Sequence, residues 1–543
     1  MSKIVIEWAF SKGLIDSMGR NKIPPHFSGY LRNVRIINQA ICPRKWSVAL
    51  DNDQQWPFRH MIWNYGELLA VSWGRFYKLL PTFFDYGDIT WGGSPSGQYN
   101  LISYGTYTLI FNGRTPPYVY KKWSGAIFQI PVNNYPIDVN TNEPISSFNP
   151  LIGAAMTWFT FAAGNTSSDK HVLYVSQPID IKSAEQEANC YNRWSIDLQG
   201  TYYNDKYSAS RFMTSPILGM VATLYELFIF CEKTIEVYRR GEYINNGGPI
   251  SYLYTQPLAD GDHLASFKSA VAAGNKIFYL TSNLKVKSIW YEPGKEQPEI
   301  GDLSDRLGQE IRLFLEQNID PNQSYCFGFY DRNEHTVERH LKKKGTGINN
   351  ITLLYDIIND TFLVDEGKEF GAMAYGGTIG NKVYAWSFID WTYYEDDYDY
   401  YDQDLLNTTV PIPFEYNTPN IALWQVTLEK FFRGFTMAWW MNRETTLTIN
   451  CYVDWKLQFT KQVSWWDINV SELQAINIWG PNQPQTREYI QPFDYVADQG
   501  KVRKKWKRIR IQIKANRLYQ NFYLDYLDIE AEATGNYELN DKF

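Results

Sequence analysis

The sequence predicts an all-β protein: a β-propeller with inserted loops and one short helix, followed by a C-terminal antiparallel β domain of sandwich type. Three observations predict it. Short apolar runs bounded by Gly, Pro, Asn and Asp recur along the first four hundred residues. Aromatic residues are abundant, with 20 Trp, 40 Tyr and 30 Phe making 17% of the chain. Such rings favour strands and large contact surfaces. Clean two-residue alternation then appears in the last 120 or so residues.

The elements follow in order. Leu101–Tyr120 reads as strand, turn, strand, with Asn112-Gly113 as its hairpin dipeptide. Glu226–Glu242 reads as two strands about Glu232-Lys233, and Lys276–Tyr291 as two about Ser282-Asn283. KHVLYVSQPIDI and NKVYAWSFID add further strands. No WD or kelch signature marks a repeat. Four hundred residues of strand-rich chain exceed one sandwich, which favours the propeller. In DLSDRLGQEIRLFLEQ, Leu303, Leu307, Ile311 and Leu315 recur every four residues, and Asp302 or Ser304 is placed to cap a helix at the edge of the sheets.

A compositional break follows. WTYYEDDYDYYDQD, from Trp391 to Asp404, carries six acids between Glu395 and Asp404 and reads as an exposed loop or linker ending near Asn420. The domains are therefore drawn as 1–420, propeller-like, and 421–543, sandwich-like. In the second, TTLTINCYVDWKLQF alternates Leu447, Ile449, Cys451, Val453, Trp455, Leu457 and Phe459 inward. KRIRIQIK turns Ile509, Ile511 and Ile513 inward, and LDIEAEA does the same with Leu527, Ile529 and Ala531. Pairing these last two antiparallel would oppose basic and acidic outer faces.

Charge bounds the function. Lys and Arg total 52, Asp and Glu 59, giving a net charge of −7. That balance argues against a whole-chain nucleic-acid binder of the repressor or histone kind. The start of the chain lacks a targeting pattern, and the most apolar stretch, Ile217–Cys231, is interrupted by Glu226 and too short to span a bilayer. The expectation is a protein made in the cytoplasm with no membrane partner. Five cysteines without a CxxC pair read as free, mostly buried thiols. HTVERH, with His335 and His340, reads as a solvated loop and not a metal site.

Two charged clusters are the interaction candidates. The run 501–514 holds eight basic residues around Trp506, among them Lys501, Arg503, Lys504, Lys505, Lys507 and Arg508. It suits phosphate contact, but its amphipathic half favours a solvated strand face. The acidic cluster Glu395, Asp396, Asp397 and Asp399 lacks the spacing and glycine of a calcium loop and reads as a surface for a partner. Lys342–Lys344 beside Gly345 and Gly347 reads as a basic loop. No GxSxG, HExxH, P-loop or GxGxxG context appears, so neither an enzyme class nor a cofactor is implied.

FSGYLRNVRIINQAICPRKW, ELFIFCEKTIEVYRRGE, KIFYLTSNLKVKSIWY followed by GDLSDRLGQEIRLFL, and KKWKRIRIQIKANRLYQNFYLDYLDIEAEA together resemble the packaged-DNA stabilisation, or tail-nozzle (tail hub), proteins of short-tailed bacteriophages. The resemblance is one of pattern and order over roughly residues 28–533. It implies a virion structural protein, assembled as a ring, commonly a hexamer, at the end of the tail. Such a ring docks on an adaptor or portal-side ring, carries fibres, spikes or a needle nearby, retains packaged DNA and conducts it on ejection. It brings no catalytic residues. A mildly acidic chain fits a conduit, because each phosphate neutralised by Lys or Arg would grip the moving duplex. The alternative reading is a carbohydrate-binding or carbohydrate-active propeller, whose Trp and acids would gather in one pocket.

Overall fold

The computed structural model describes residues 3–9 and, with interruptions, 30–138, 143–176, 187–194, 215–240, 252–418, 430–464, 487–494 and 505–533. Among these residues, seven small antiparallel sheets follow one another along the chain. Blade 1 comprises His60–Asn64, Glu67–Ser72, Arg75–Leu80 and Phe84–Asp88. Blade 2 runs from Asn100–Tyr104 out to Ala126–Gln129, and blade 3 from Ile152–Met156 to Leu173–Val175. Blades 4, 5 and 6 start at Ile217–Ala222, Ala270–Ala273 and Phe327–Asp331. Blade 7 starts at Phe370–Gly376, and its fourth strand is Trp46–Asp51 from the other end of the chain. Each blade's first strand touches the first strand of the next, and Phe370–Gly376 returns to His60–Asn64. The molecule is a β-propeller whose ring is closed by an early strand completing the last blade.

The packing explains why the sequence reads in places as continuous apolar runs instead of alternation. A strand inside a blade has a neighbouring blade on each face, so both sides are covered. Tyr107–Phe111 is buried at every position. Leu109 and Phe111 pack toward blade 3 while Ile110 packs toward blade 1. The other seams are built in the same way: Phe161 against Leu227, Phe230 against Tyr279, Phe329 against Met373, and Met61 against Trp386. Each seam buries several large side chains, at about 1.5–3 kcal/mol apiece relative to exposure.

The Glu226, Lys276 and Leu101 hairpins form as expected, with one addition. Leu101–Tyr120 holds three strands, because Gly105, at φ 54°, makes a further tight turn. Asn112 accepts from the N–H groups of Arg114 and Thr115, both at 2.9 Å, and so bends the next connection. The helix is shorter than its pattern. Leu303–Arg306 is a 3-10 turn capped by Asp302, whose carboxylate accepts from Ser304 N–H, and the α-helix is Gln309–Asn318. Lys344 closes its end, donating its backbone N–H to the Asn318 carbonyl and its ammonium to that of Glu316. A cation there complements the helix dipole.

Two further sheets lie beyond the ring. One orders Tyr30–Arg32, Phe414–Asn417, Ile509–Ala515, Thr446–Val453 and Lys456–Ser464. The other carries Val34–Ile37, Ala40–Pro43, Phe522–Ala533, Lys430–Met441 and Arg487–Asp494, with Lys3–Ala9 laddered to Phe522–Ala533. Their inner faces meet through Ile509, Ile511, Ile513, Phe522 and Leu524, in one core with Leu315 of the helix and Leu353 of blade 6. A boundary at 420 therefore does not follow the strand pairing, since Lys3–Ala9 and Ile41 ladder with Phe522–Ala533, and Phe414–Asn417 with Ile509–Ala515.

Four local expectations are corrected. Tyr393–Tyr398 is not a loop but the third strand of blade 7, between Lys382–Ser387 and Trp46–Asp51. HTVERH is exposed turn only at His335; Thr336–Lys342 is the second strand of blade 6, with His340 fully buried. Ile509–Ala515 and Phe522–Ala533 do not pair. They belong to different sheets, and Ile509, Ile511 and Ile513 of one share a core with Phe522 and Leu524 of the other. Leu457 points outward, because a bulge between Cys451 and Tyr452 shifts the register and sets Leu457 opposite Tyr452. The five cysteines are free and buried, as expected.

Candidate functional site

Three features of the ring invite a functional reading: a central cavity, a buried ion network and an apolar face. The cavity, about 440 Å³, lies on the ring axis and is lined from all seven first strands, among them His60, Leu101, Gly153, Met220, Val271, Gly328 and Met373. A propeller turns the inner edge of each first strand toward this axis, and its backbone groups find other partners there: the Leu101 N–H donates to His60 and the Gly328 N–H to the Lys268 carbonyl. Two glycines in its wall allow the blades behind it to pack closely. At Gly153 a Cβ would meet Phe111 at 2.3 Å and the Phe161 carbonyl at 2.7 Å. At Gly328 it would fall 2.5 Å from Arg339 Nη1.

His60 and Lys268 are the titratable residues in this lining. His60 Nδ1 accepts from the Leu101 N–H at 2.8 Å. Burial, and then Lys268, push its pKa well below the usual imidazole value, so the ring is neutral at pH 7. Behind the wall stands Arg339, opposite Gly328 in the ladder of blade 6. It is 1% exposed. Nη1 donates to the Glu338 carbonyl at 3.0 Å, while Nε and Nη2 have no partner among the described residues. Burial lowers this guanidinium to about 9, against the smaller opposing effect of Cys326.

The ion network joins the terminal sheets to blade 6. Arg35 grips Asp365 with two bonds of 2.9 and 2.8 Å, and its Nε reaches Glu334 at 2.8 Å. Lys368 lies 3.9 Å from Asp365 and 3.8 Å from Glu338, and His340 Nε2 sits 2.9 Å from Glu338. Burial pushes the Glu338 carboxyl upward, but Lys368, the His340 hydrogen bond and Arg35 outweigh it, leaving the pKa near about 2. Asp365 is held low in the same way, burial being overcome by Arg35, Lys368 and Arg44. His340 also stacks on Phe327 at 4.5 Å. Among the described residues, no three His, Cys, Asp or Glu side chains converge as metal ligands.

The apolar face is formed by turns. In a four-strand blade the first and third turns lie at the same end, and the ring places all such ends on one face. There stand Tyr65, Phe83 and Phe84 of blade 1, Trp123 of blade 2, Leu224 and Tyr225 of blade 4, and Ile358 of blade 6, with Trp123 73% exposed and Tyr65 60%. Lys122 ties two blades together here. It donates to the Tyr65 carbonyl and sits 5.6 Å from the Tyr65 ring centroid and 5.3 Å from that of Trp123.

Of the residues singled out from the sequence, those that are described do not line the cavity. Lys501, Arg503, Lys504, Lys507, Arg508 and Asp399 lie outside the described residues. Lys505 is opposite Phe431 in a short ladder, and Glu395 and Asp396 are opposite Tyr384 and Val383, with Asp397 in the same strand. Later in the basic run, Arg510 stacks on Tyr452 at 4.5 Å and Lys514 faces Glu415 at 3.7 Å. Lys342 pairs with Asp320 at 2.8 Å. Nothing in the charge pattern pointed to His60, Lys268 or Arg339. The sequence signal was the isolated Gly328 inside the strand run CFGFYD, the mark of a close approach.

No protein-family model and no curated protein matches the chain. Solved structures do match. The computationally designed Ika8 protein is 10% identical, covering 65% of this chain and 100% of its own, with a TM-score of 0.35. YCF48 bound to D1 peptide is 9% identical, with 65% and 96% covered and a TM-score of 0.37. The N-terminal domain of Nup159 is 7% identical, with 68% and 98% covered and a TM-score of 0.36. Scores this low say nothing of function, and the strand order alone describes the fold.

Proposed function

We propose that this chain is a virion structural protein, a subunit of the tail nozzle or hub ring of a short-tailed bacteriophage. In this reading it closes the tail channel, retains packaged DNA and conducts the genome on ejection. The observation that carries the reading is the apolar face: seven large exposed side chains on turns of four blades. Exposed aromatic side chains are the usual anchors of protein contacts. A sugar-binding propeller would gather Trp and carboxylates in one pocket, whereas the central cavity is lined by neither.

The role is structural rather than catalytic. Copies associate as a ring, a hexamer in the resembled family, between an adaptor or portal-side ring and fibres, spikes or a needle. Duplex DNA does not use the propeller axis. A cavity of about 440 Å³ is too small for a helix whose major groove alone is about 12 Å wide. The lumen lies between subunits and is acidic or neutral. Arg510 on Tyr452 and Lys514 on Glu415 support a basic strand turned to its own neighbours.

Incorporation tests the reading. Particles produced with the chain carrying Trp123→Ser and Tyr225→Ser should lose it from purified virions. Particles carrying Leu457→Ser, exposed on the terminal sheets instead, should retain it. Equal incorporation of both contradicts the assignment.

A further inference from the structure

Where blades 1 and 2 meet, the apolar face carries two aromatic rings on closed turns. Tyr65 and Trp123 are 60% and 73% exposed. Tyr65, at φ 46°, precedes Gly66 at φ 87°. Trp123 is the middle residue of the 3-10 turn Lys122–Ser124. Gly125 stops that turn at φ 61°, donating its N–H to the Lys122 carbonyl at 3.2 Å. Further in, the hydroxyl of the buried Tyr120 donates to Glu67 Oε2 at 2.9 Å and lies 3.1 Å from the Tyr86 hydroxyl. Glu67 and Tyr120 are two residues from Tyr65 and Lys122, so the two blades are bridged twice.

Lys122 makes the outer bridge. Its ammonium reaches from blade 2 to the Tyr65 carbonyl of blade 1 and lies over both rings, 5.6 Å from the Tyr65 centroid and 5.3 Å from that of Trp123. A lysine on a surface turn ordinarily keeps its ammonium in water and its rotamers free. The seam does not need this bridge to close, because Val71, Phe76, Leu101 and Ile110 already pack inside it. What the bridge fixes is the orientation of two exposed rings. That matters for binding. An anchor ordered only on contact loses its rotamer freedom at that moment, and an anchor held beforehand does not.

We propose that Lys122 is a positioning residue of the protein contact, pre-ordering Tyr65 and Trp123 as its anchor pair. The inference rests on the reading of the apolar face as a protein contact, and adds where the anchor lies and what holds it. Lys122 acts through the two rings, by the field of its ammonium on their π faces and by its bond to the Tyr65 carbonyl.

Two readouts test it. In the full chain labelled with 5-fluorotryptophan, the Trp123 fluorine line is assigned by its loss in Trp123→Phe. A held ring shares the slow tumbling of the chain and gives a broad line. Lys122→Met should sharpen that line and move it toward the solvent value, with the thermal midpoint nearly unchanged. Lys122→Arg should leave it as it is, since a guanidinium also stacks on rings and donates to carbonyls. Particles are then assembled from equal amounts of unaltered and variant chain, and the incorporated ratio is read by mass spectrometry. Lys122→Met should be depleted about three- to tenfold, Lys122→Arg should stand at parity, and Trp123→Ser should be depleted further. Parity of Trp123→Ser overturns the contact itself and the positioning role with it. Depletion of Trp123→Ser beside parity of Lys122→Met overturns the positioning role alone. So does a Trp123 line unaltered in Lys122→Met, or a lowered thermal midpoint, which would make the lysine structural.

Discussion

Arg35 shows most clearly how single residues hold the molecule together. It is buried, and it reaches from the N-terminal segment across to Asp365 and Glu334 of blade 6. Removing one partner of such a pair strands the other, so Arg35→Met should destabilise by about 3–5 kcal/mol. The expected result is a lower thermal midpoint and, in hydrogen exchange, faster opening of Val34–Ile37 together with Thr361–Glu366. Glu338 gives the same network a pH signature. Its folded pKa, near about 2, lies below the unfolded value of 4.5. Its contribution is therefore complete above about pH 4.5 and is lost as pH falls through 2. On the order of 3 kcal/mol depends on it. Denaturation midpoints between pH 5 and pH 2 should fall less steeply in Glu338→Gln, which begins from a lower stability, than in the unaltered chain. None of this was legible in HTVERH. A run of charged letters looks solvated, and only the partners Arg35, Asp365 and Lys368, distant or on other strands, make it a buried strand.

At the scale of elements, the hairpins were the legible part, because their signals are local. Asn112-Gly113, Glu232-Lys233 and Ser282-Asn283 all lie in turns. The acidic segment at 393–398 was misread because its acids lie in a strand joined to residues 46–51, some 350 positions earlier, and no local pattern encodes that partner. The bulge that turns Leu457 outward was hidden for a similar reason: alternation counts residues on one strand and does not see the partner's register. The tight glycines make the seams testable. Gly153→Ala drives a methyl group into Phe111, Ile102 and a backbone carbonyl between blades 2 and 3. Overpacking of this kind should cost about 1–3 kcal/mol. Gly274→Ala, with open space at its Cβ, should cost only what its φ of 62° imposes, about 1 kcal/mol. If both variants lose the same stability in chemical denaturation, the seam is not packed as described.

At the scale of the whole molecule, chain topology sets the behaviour. The ring is closed by Trp46–Asp51, and the terminal sheets combine Lys3–Ala9, Tyr30–Arg32 and Val34–Pro43 with strands beyond residue 410. Both ends of the chain are thus tied into sheets with distant partners. Deleting residues 1–51 should remove a strand from blade 7 and several from the terminal sheets. The product should lose cooperative unfolding and expose the sheet edges, with aggregation as the visible outcome. A truncated chain that unfolds as sharply as the full one would contradict this topology. The fold class was readable from composition and turn chemistry. The blade number and the interleaving of the termini were not, since both are properties of long-range pairing.

The proposed role places the propeller's exposed aromatic face in a ring at the end of a phage tail. Electron cryo-microscopy of the particle whose genome encodes the chain tests it most directly. The expected map shows copies of the chain around the distal tail channel, with Trp123 and Tyr225 in protein contacts and a lumen not lined by residues 501–514. Absence of the chain from the particle, or a ring whose lumen is lined by that basic run, would contradict the claim.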